Sequence, residues 1–216
     1  VKEAAGYTAE KQLPFFMLGA GSNILVSDRG FDGMVIRMAG GNVRADAERL
    51  IADAGVMMAR AVTEAAKAGL TGFEWGIGVP GTVGGSVRGN AGGFGGEMKD
   101  VVERVSVLKV KSHPDGIGTK LETTAQNEKL FELMELNNTD CQFAYRDSIF
   151  KRHPEWIILS ASLKLAKGDP AAIQEKIRTI TQERVSKQDI GTKSCGCIFK
   201  NVSWDKMKKG ELLKKF

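Results

Sequence analysis

Histidine and cysteine are scarce in this chain. His113 and His153 are its two histidines, and Cys141, Cys195 and Cys197 its three cysteines, among 216 residues. An odd number of thiols at uneven spacing makes a poor disulfide framework and suits a reducing compartment. Cys195-Gly196-Cys197 has no second cysteine pair, and the histidines are too remote to complete a convincing zinc site, so no metal is expected. No apolar run approaches the roughly 20 residues of a membrane span. The start of the chain shows neither an initiator Met nor the charged-then-apolar pattern of a secretory signal. The expectation is therefore a cytoplasmic protein with no membrane partner. A broad basic surface is also missing. Lys206, Lys208, Lys209, Lys214 and Lys215, set against Glu211, account for nearly all of the formal charge of +5. A nucleic-acid binder would spread its charge more widely, so no nucleic-acid partner is expected. The lysine-rich end reads as a solvated helix face.

What is present is an ordinary globular composition, 42% hydrophobic and 26% charged, in a chain long enough for one large domain or two small ones. Its densest feature is the stretch 76–96, GIGVPGTVGGSVRGNAGGFGG. Glycine lets another group approach the main chain closely. So dense a run is not expected to form a helix, and as a strand it would have little to pack. Val79, Val83 and Val87 recur within it and Pro80 fixes one φ, which argues against a flexible linker. The reading is an ordered wall of backbone against a large flat ligand; a tight crossing of packed elements is the alternative. Gly76, Gly78 and Gly81 spell GxGxxG, but the dinucleotide fingerprint needs a strand before it and a helix after it. Thr82-Val83-Gly84-Gly85 is not expected to start a helix.

Along the chain, 1–11 reads as the end of a helix and 13–18 as a short buried strand. Gly19-Ala20-Gly21-Ser22-Asn23 follows, then a strand-like Ile24–Val26. Strand, glycine turn, strand offers consecutive N–H groups in a concave nest suited to phosphate, although an ordinary turn explains it equally well. The segment 44–53 reads as a strand, 56–68 as a helix with Gly69 as its C′ stop, and 100–110 as a strand with Val105 and Val107 on one face. A Gly/Pro loop is expected over 111–120 and a short amphipathic helix over 127–136. Ile157, Leu159, Ala161, Leu163 and Leu165 alternate with Ile158, Ser160, Ser162 and Lys164, the clearest period-two signal, predicting a half-buried strand. Asp169-Pro170 then opens a helix with Ile173, Ile177 and Ile180 inward. The change of period makes 167–169 the expected domain boundary.

Two stretches carry more reactive groups than a scaffold requires. Tyr145-Arg146-Asp147-Ser148 offers a guanidinium fork suited to carboxylate or phosphate; a surface Arg146–Asp147 pair is the alternative. Ser194-Cys195-Gly196-Cys197-Ile198-Phe199-Lys200-Asn201 offers a thiol as proton donor or nucleophile, against a buried small hydrophobe.

Together, 18–28 (LGAGSNILVSD), 76–97 (GIGVPGTVGGSVRGNAGGFGGE), 141–151 (CQFAYRDSIFK) and 194–201 (SCGCIFKN) closely resemble, in order and separation, the UDP-N-acetylenolpyruvoylglucosamine reductase (UDP-N-acetylmuramate dehydrogenase) family. These are flavoenzymes of bacterial peptidoglycan precursor synthesis. The resemblance covers nearly all the chain. It implies an α+β FAD-binding fold of the vanillyl-alcohol oxidase type, with 1–167 as the FAD-binding region (two subdomains, divided near 38–42) and 168–216 as an incomplete substrate-binding domain. Gly19, Ala20, Gly21, Ser22 and Asn23 fall on the FAD diphosphate. Gly78, Val79, Pro80, Gly81, Thr82, Gly84, Gly85 and Ser86, with Asn90, Ala91 and Gly92, fall along the ribityl chain and isoalloxazine. Arg146 falls on the catalytic arginine that contacts the enolpyruvyl carboxylate, and Cys197 on the serine or cysteine proton donor. Tyr145, Lys200 and Asn201 fall on the substrate site, with Asn201 at the UDP diphosphate. The implied reaction uses non-covalent FAD reduced by NADPH to convert UDP-N-acetylglucosamine enolpyruvate to UDP-N-acetylmuramate. A monomer is favoured.

The chain departs from the family pattern in places. The family has roughly one more βαβ portion before Val1, and a C-terminal stretch with a further catalytic glutamate after Phe216, so a fragment with little activity of its own is expected. Cys195 stands where alanine is usual, Val202 where proline is usual, and 111–129 looks longer than the usual hairpin. Two rivals stay open. One is another FAD oxidoreductase of the same fold, acting on a sugar or alcohol. The other is a non-catalytic nucleotide-binding module whose C-x-C takes a metal.

Overall fold

The computed structural model describes residues 1–110, 130–187 and 200. In chain order the first elements are α1 (Lys2–Glu10), β1 (Phe15–Leu18), β2 (Met34–Arg37), β3 (Val43–Asp46), β4 (Arg49–Asp53), α2 (Met58–Lys67) and β5 (Leu70–Thr71). A 3₁₀ turn (Glu74–Gly78), α3 (Val83–Gly89), β6 (Gly92–Gly93), β7 (Gly96–Glu97) and α4 (Met98–Val101) make up the glycine-dense middle. Then come β8 (Val102–Val110), β9 (Phe131–Asn137), α5 (Ile149–Arg152), β10 (Trp156–Lys164), β11 (Ala166–Lys167) and α6 (Pro170–Lys187).

The period-two run forms β10, the centre of a five-stranded antiparallel sheet ordered β3-β4-β10-β8-β9. Both faces of this sheet are packed. On β8, Val105 and Val107 join the main core while Leu108 and Val110 join a second, smaller one, because alternate side chains point to opposite faces. On β10 a bulge between Ile158 and Ser160 reverses the alternation. Ile157 therefore faces the small core, and Ala161 and Leu163 the main one. The expected half-buried strand is thus a central one, buried in part on both sides.

The main core closes with α2, whose stripe of Met58, Ala61, Val62 and Ala65 is buried, each larger aliphatic contributing about 1.5–3 kcal/mol. Gly69, at φ 66°, stops this helix as expected. The small core is built by α1, β1 and β2, through Ala5, Ala9, Phe15 and Ile36. α6 starts where its cap predicts, with the Ala172 N–H donating to Asp169 Oδ2 at 2.9 Å. It buries Ile173 and Ile180 and packs on the 3₁₀ turn. Among the described residues no helix is long and apolar enough to cross a membrane.

Several expectations are corrected. Residues 24–26 form no strand: Leu25 is 84% exposed and no partner strand reaches them. Of the apolar run before Gly19 only Phe15 is buried, because β1 pairs with β2 alone, in parallel. The strand expected over 44–53 is two, β3 and β4, joined through Ala47 at φ 52°. Where the helix expected over 127–136 falls on described residues, Phe131 onward form the edge strand β9, in register with β8 from Val110↔Phe131 to Arg104↔Asn137. Cross-strand pairing overrides the helix preference of its Leu and Glu residues. The loop and long hairpin expected over 111–129 lie outside the described residues.

Candidate active site

The glycine stretch does contain a helix. α3 opens at Val83 because its first donors are satisfied from outside. Val83 and Gly84 N–H groups donate to the Val56 and Ala54 carbonyls at 2.8 and 2.9 Å, and Gly85 N–H donates to Thr82 Oγ1, the N-cap, at 3.3 Å. Val83 and Val87 are fully buried. A Cβ on Gly84 would sit 2.7 Å from the Ala54 Cβ, so glycine is what lets the helix lie that close to β4. Each helical glycine costs roughly 1 kcal/mol against alanine, less than this burial and capping return. The expectation that Thr82–Gly85 cannot start a helix is therefore overturned. The GxGxxG match is still no dinucleotide fingerprint, since a 3₁₀ turn stands where the strand belongs.

The nest and the wall, far apart in sequence, touch. A Cβ on Gly19 would lie 2.6 Å from Thr82 Oγ1, and one on Gly81 (φ 107°) 2.8 Å from Ser22 Oγ. Among the described residues, the N–H groups of Gly19, Ala20, Gly21, Ser22 and Asn23 find no protein acceptor, nor do those of Gly81 and Thr82. A run of free donors lined by glycine at its closest approach suits a diphosphate, and the bare backbone beside it suits a flat ring. The residues present thus fit FAD. The Phe94 ring lies against Gly78, at the tip of the β6–β7 hairpin. A cleft of about 580 Å³ opens between Phe94 and α6. Glu175 and Glu183 line it, and Lys176 there is paired with Glu74 at 3.1 Å, so it does not suit a diphosphate.

Asn90 ends α3 in the left-handed conformation, φ 42°, with no exposed surface. Its Nδ2 donates to Glu97 Oε2 at 2.7 Å and to the Ala144 carbonyl at 2.9 Å, and its Oδ1 accepts from the Lys99 N–H at 2.9 Å. With the side chain committed to protein partners, only its main chain is left for a ligand. What the side chain does is tie the wall to the turn that carries Arg146.

That turn is closed by paired hydrogen bonds between Ala144 and Asp147, both 3.0 Å. Arg146 is its second central residue, at φ 55°, a position usually given to glycine. A non-glycine residue there costs on the order of 1–3 kcal/mol. The guanidinium reaches back to the wall, donating to the Gly92 carbonyl at 3.1 Å, and lies over the half-exposed Tyr145 ring at 5.2 Å. The Arg146–Asp147 surface pair does not form, because Asp147 takes Arg152 at 3.1 Å. No carboxylate among the described residues is in ion-pair range of Arg146, so most of its fork is free.

Lys151, on α5, donates to the Arg146 carbonyl and has further cations near it. Loss of hydration pushes the Lys151 ammonium down; Asp147 opposes this, and Lys200, Arg88 and Arg146 add to it. The Lys200 side chain, the described member of the second reactive stretch, is therefore brought to the first. Burial also pulls the Arg88 guanidinium down as it donates to the Phe150 carbonyl. Cys197 and Asn201, like Ser194 and Cys195, lie outside the described residues. Cys141 is a buried small hydrophobe, its thiol pushed up to about 12 by burial and then by Asp140.

Sequence reasoning missed two residues here and the role of a third. Ser148, read as part of the reactive stretch, is fully buried and donates to the Arg88 carbonyl at 2.6 Å, locking α3 to the Arg146 segment. Asn138 donates to the Lys99 and Val102 carbonyls at 2.8 and 2.7 Å. Glu74, only 2% exposed, accepts from Thr71 Oγ1 at 2.5 Å and from the Gly72 N–H at 3.0 Å. Thr71-x-x-Glu74 has the spacing of a capping box, which could have revealed it.

Comparison with known proteins gives a family for this arrangement. Residues 1–115 match the family model described as FAD binding domain. UDP-N-acetylenolpyruvoylglucosamine reductase of Caldanaerobacter subterraneus subsp. tengcongensis is 36% identical over 195 residues, 90% of this chain and 58% of the relative. The Solibacter usitatus protein of the same name is 37% identical over 183 residues, 85% of this chain and 52% of the relative. The chain thus spans little more than half the length of these relatives. The crystal structure of UDP-N-acetylenolpyruvylglucosamine reductase from Thermus caldophilus superposes with a TM-score of 0.70 and 31% identity, covering 99% of this chain and 69% of that one. On the matched FAD binding domain, the α+β fold and that coverage, the chain belongs to the UDP-N-acetylenolpyruvoylglucosamine reductase family of FAD-binding proteins.

Proposed function

We propose that the protein carrying this chain reduces UDP-N-acetylglucosamine enolpyruvate to UDP-N-acetylmuramate with NADPH, in the cytoplasm, as a step of peptidoglycan precursor synthesis. The observation that carries this reading is the placement of Arg146. An arginine held in a glycine-like conformation, with its guanidinium against the Gly92 carbonyl of the glycine wall, supports a role on an anion beside a flat cofactor. FAD, when bound along that wall, supplies the hydride that the double bond of the enol ether receives. Arg146 binds the enolpyruvyl carboxylate and stabilises the negative charge that spreads onto it, without reorganisation at the moment of reaction. Cys197 gives the α-carbon its proton, a role suited to a thiol, which at an ordinary pKa near 8.5 is mostly protonated at neutral pH. Tyr145, Lys200 and Asn201 hold the nucleotide sugar. In this reading 1–167 form the cofactor region and 168–216 begin the substrate-binding part.

The same-fold oxidase of a neutral sugar or alcohol would have no anion for the Arg146 fork. The holoenzyme should oxidise NADPH only when UDP-N-acetylglucosamine enolpyruvate is added, and acid precipitation should release its flavin into the supernatant. Reduction of the flavin by a neutral sugar or alcohol in place of NADPH, or colour retained in the pellet, would favour the oxidase.

A further inference from the structure

Lys151, on α5, donates from Nζ to the main-chain carbonyl of Arg146 at 2.6 Å. The N–H of the same peptide unit, that of Asp147, donates to the Ala144 carbonyl at 3.0 Å, which also accepts from Asn90 Nδ2 at 2.9 Å. The peptide unit after Arg146 is thus gripped at both of its polar atoms, and Lys151 is the only side chain on its carbonyl among the described residues. A non-glycine residue at positive φ is strained and persists only where its surroundings over-determine it. Relaxation of Arg146 itself into an extended conformation would carry its carbonyl off Lys151 and re-aim its Cα–Cβ bond away from Gly92, so the grip on the carbonyl opposes it.

We propose that Lys151 is a positioning residue: by fixing the Arg146 carbonyl it holds Arg146 in the left-handed conformation and so sets the direction in which the guanidinium meets a substrate carboxylate. This rests on the reading of Arg146 given under Proposed function. Lys151 acts through Arg146, so its removal matters only to ligands that Arg146 recognises.

The test measures, by calorimetry on oxidised holoenzyme, affinity for UDP-N-acetylglucosamine and for its enolpyruvyl ether, which differ by the carboxylate-bearing group. Wild type should prefer the enolpyruvyl ether, and Arg146→Met should abolish the preference. Lys151→Met, of similar length but without the ammonium, should lose about tenfold or more of it, the scale of one charged hydrogen bond, with flavin content and binding of plain UDP-N-acetylglucosamine unchanged. The double variant should be no worse than Arg146→Met alone, because the two act as one unit. Lys151→Arg, which can still donate to the carbonyl, should recover part of the preference. The inference is overturned if Lys151→Met keeps the full preference, if the two losses multiply in the double variant, or if Lys151→Arg is no better than Lys151→Met. A wild type with no preference at all would overturn the reading of Arg146 itself, and the inference with it.

Discussion

Glu74 is the one carboxylate buried among the described residues, and it joins the 3₁₀ turn at the head of the glycine wall to α6 through Lys176. Burial by itself would raise its carboxyl. The hydrogen bonds from Thr71, from its own backbone, from Lys176 and from Gly72 outweigh that and hold it below the ordinary 4.5. A depressed carboxyl stabilises the fold fully above its unfolded value, and that stability is lost as the pH falls through the lower folded value. Glu74→Gln should therefore cost about 1.5–3 kcal/mol near neutrality, and the gap from wild type should close as the pH drops below the ordinary value. Urea unfolding at neutral and acid pH checks this, and a gap independent of pH would mean that the charge is immaterial. Arg146 carries a similar lesson about legibility. Its residue type could be read in the sequence, while its conformation could not, because only the Ala144–Asp147 pairing and the reach to Gly92 force an arginine into a glycine position.

Among the elements, α3 is where local rules and the fold diverge most. Its glycines forbid a helix on propensity alone, yet Ala54 and Val56, in the segment after β4, supply two of its first acceptors and Thr82 a third. Neighbouring glycines separate the two influences. Gly84→Ala would press a methyl to 2.7 Å from the Ala54 Cβ and should destabilise by about 1–3 kcal/mol. The exposed Gly85→Ala meets Thr82 Oγ1 at 3.4 Å and should stabilise by up to about 1 kcal/mol, since there only propensity changes. Thermal unfolding of the two variants decides it; Gly84→Ala as the stabler of the pair would contradict the packing account. Elements whose signal is local were legible: α2 by its stripe and Gly69, α6 by Asp169-Pro170, β10 by alternation. β9 was not, since its pairing with β8 skips the residues between 110 and 131.

Across the whole molecule, each motif that marked the candidate site was readable as a string, and what the strings could not convey was their meeting. Gly19 reaches Thr82, Gly81 reaches Ser22, and Arg146 reaches Gly92. The central claim is that this meeting makes Arg146 a partner of the substrate carboxylate and of nothing in the nicotinamide reaction. The most direct measurement is rapid mixing of Arg146→Lys holoenzyme, which keeps the charge and loses the planar fork, in two separate experiments. Reduction of the bound flavin by NADPH should stay within about twofold of wild type, while its reoxidation by UDP-N-acetylglucosamine enolpyruvate slows on the order of 10²-fold or more. Equal slowing of both would contradict the account and leave Arg146 a structural residue.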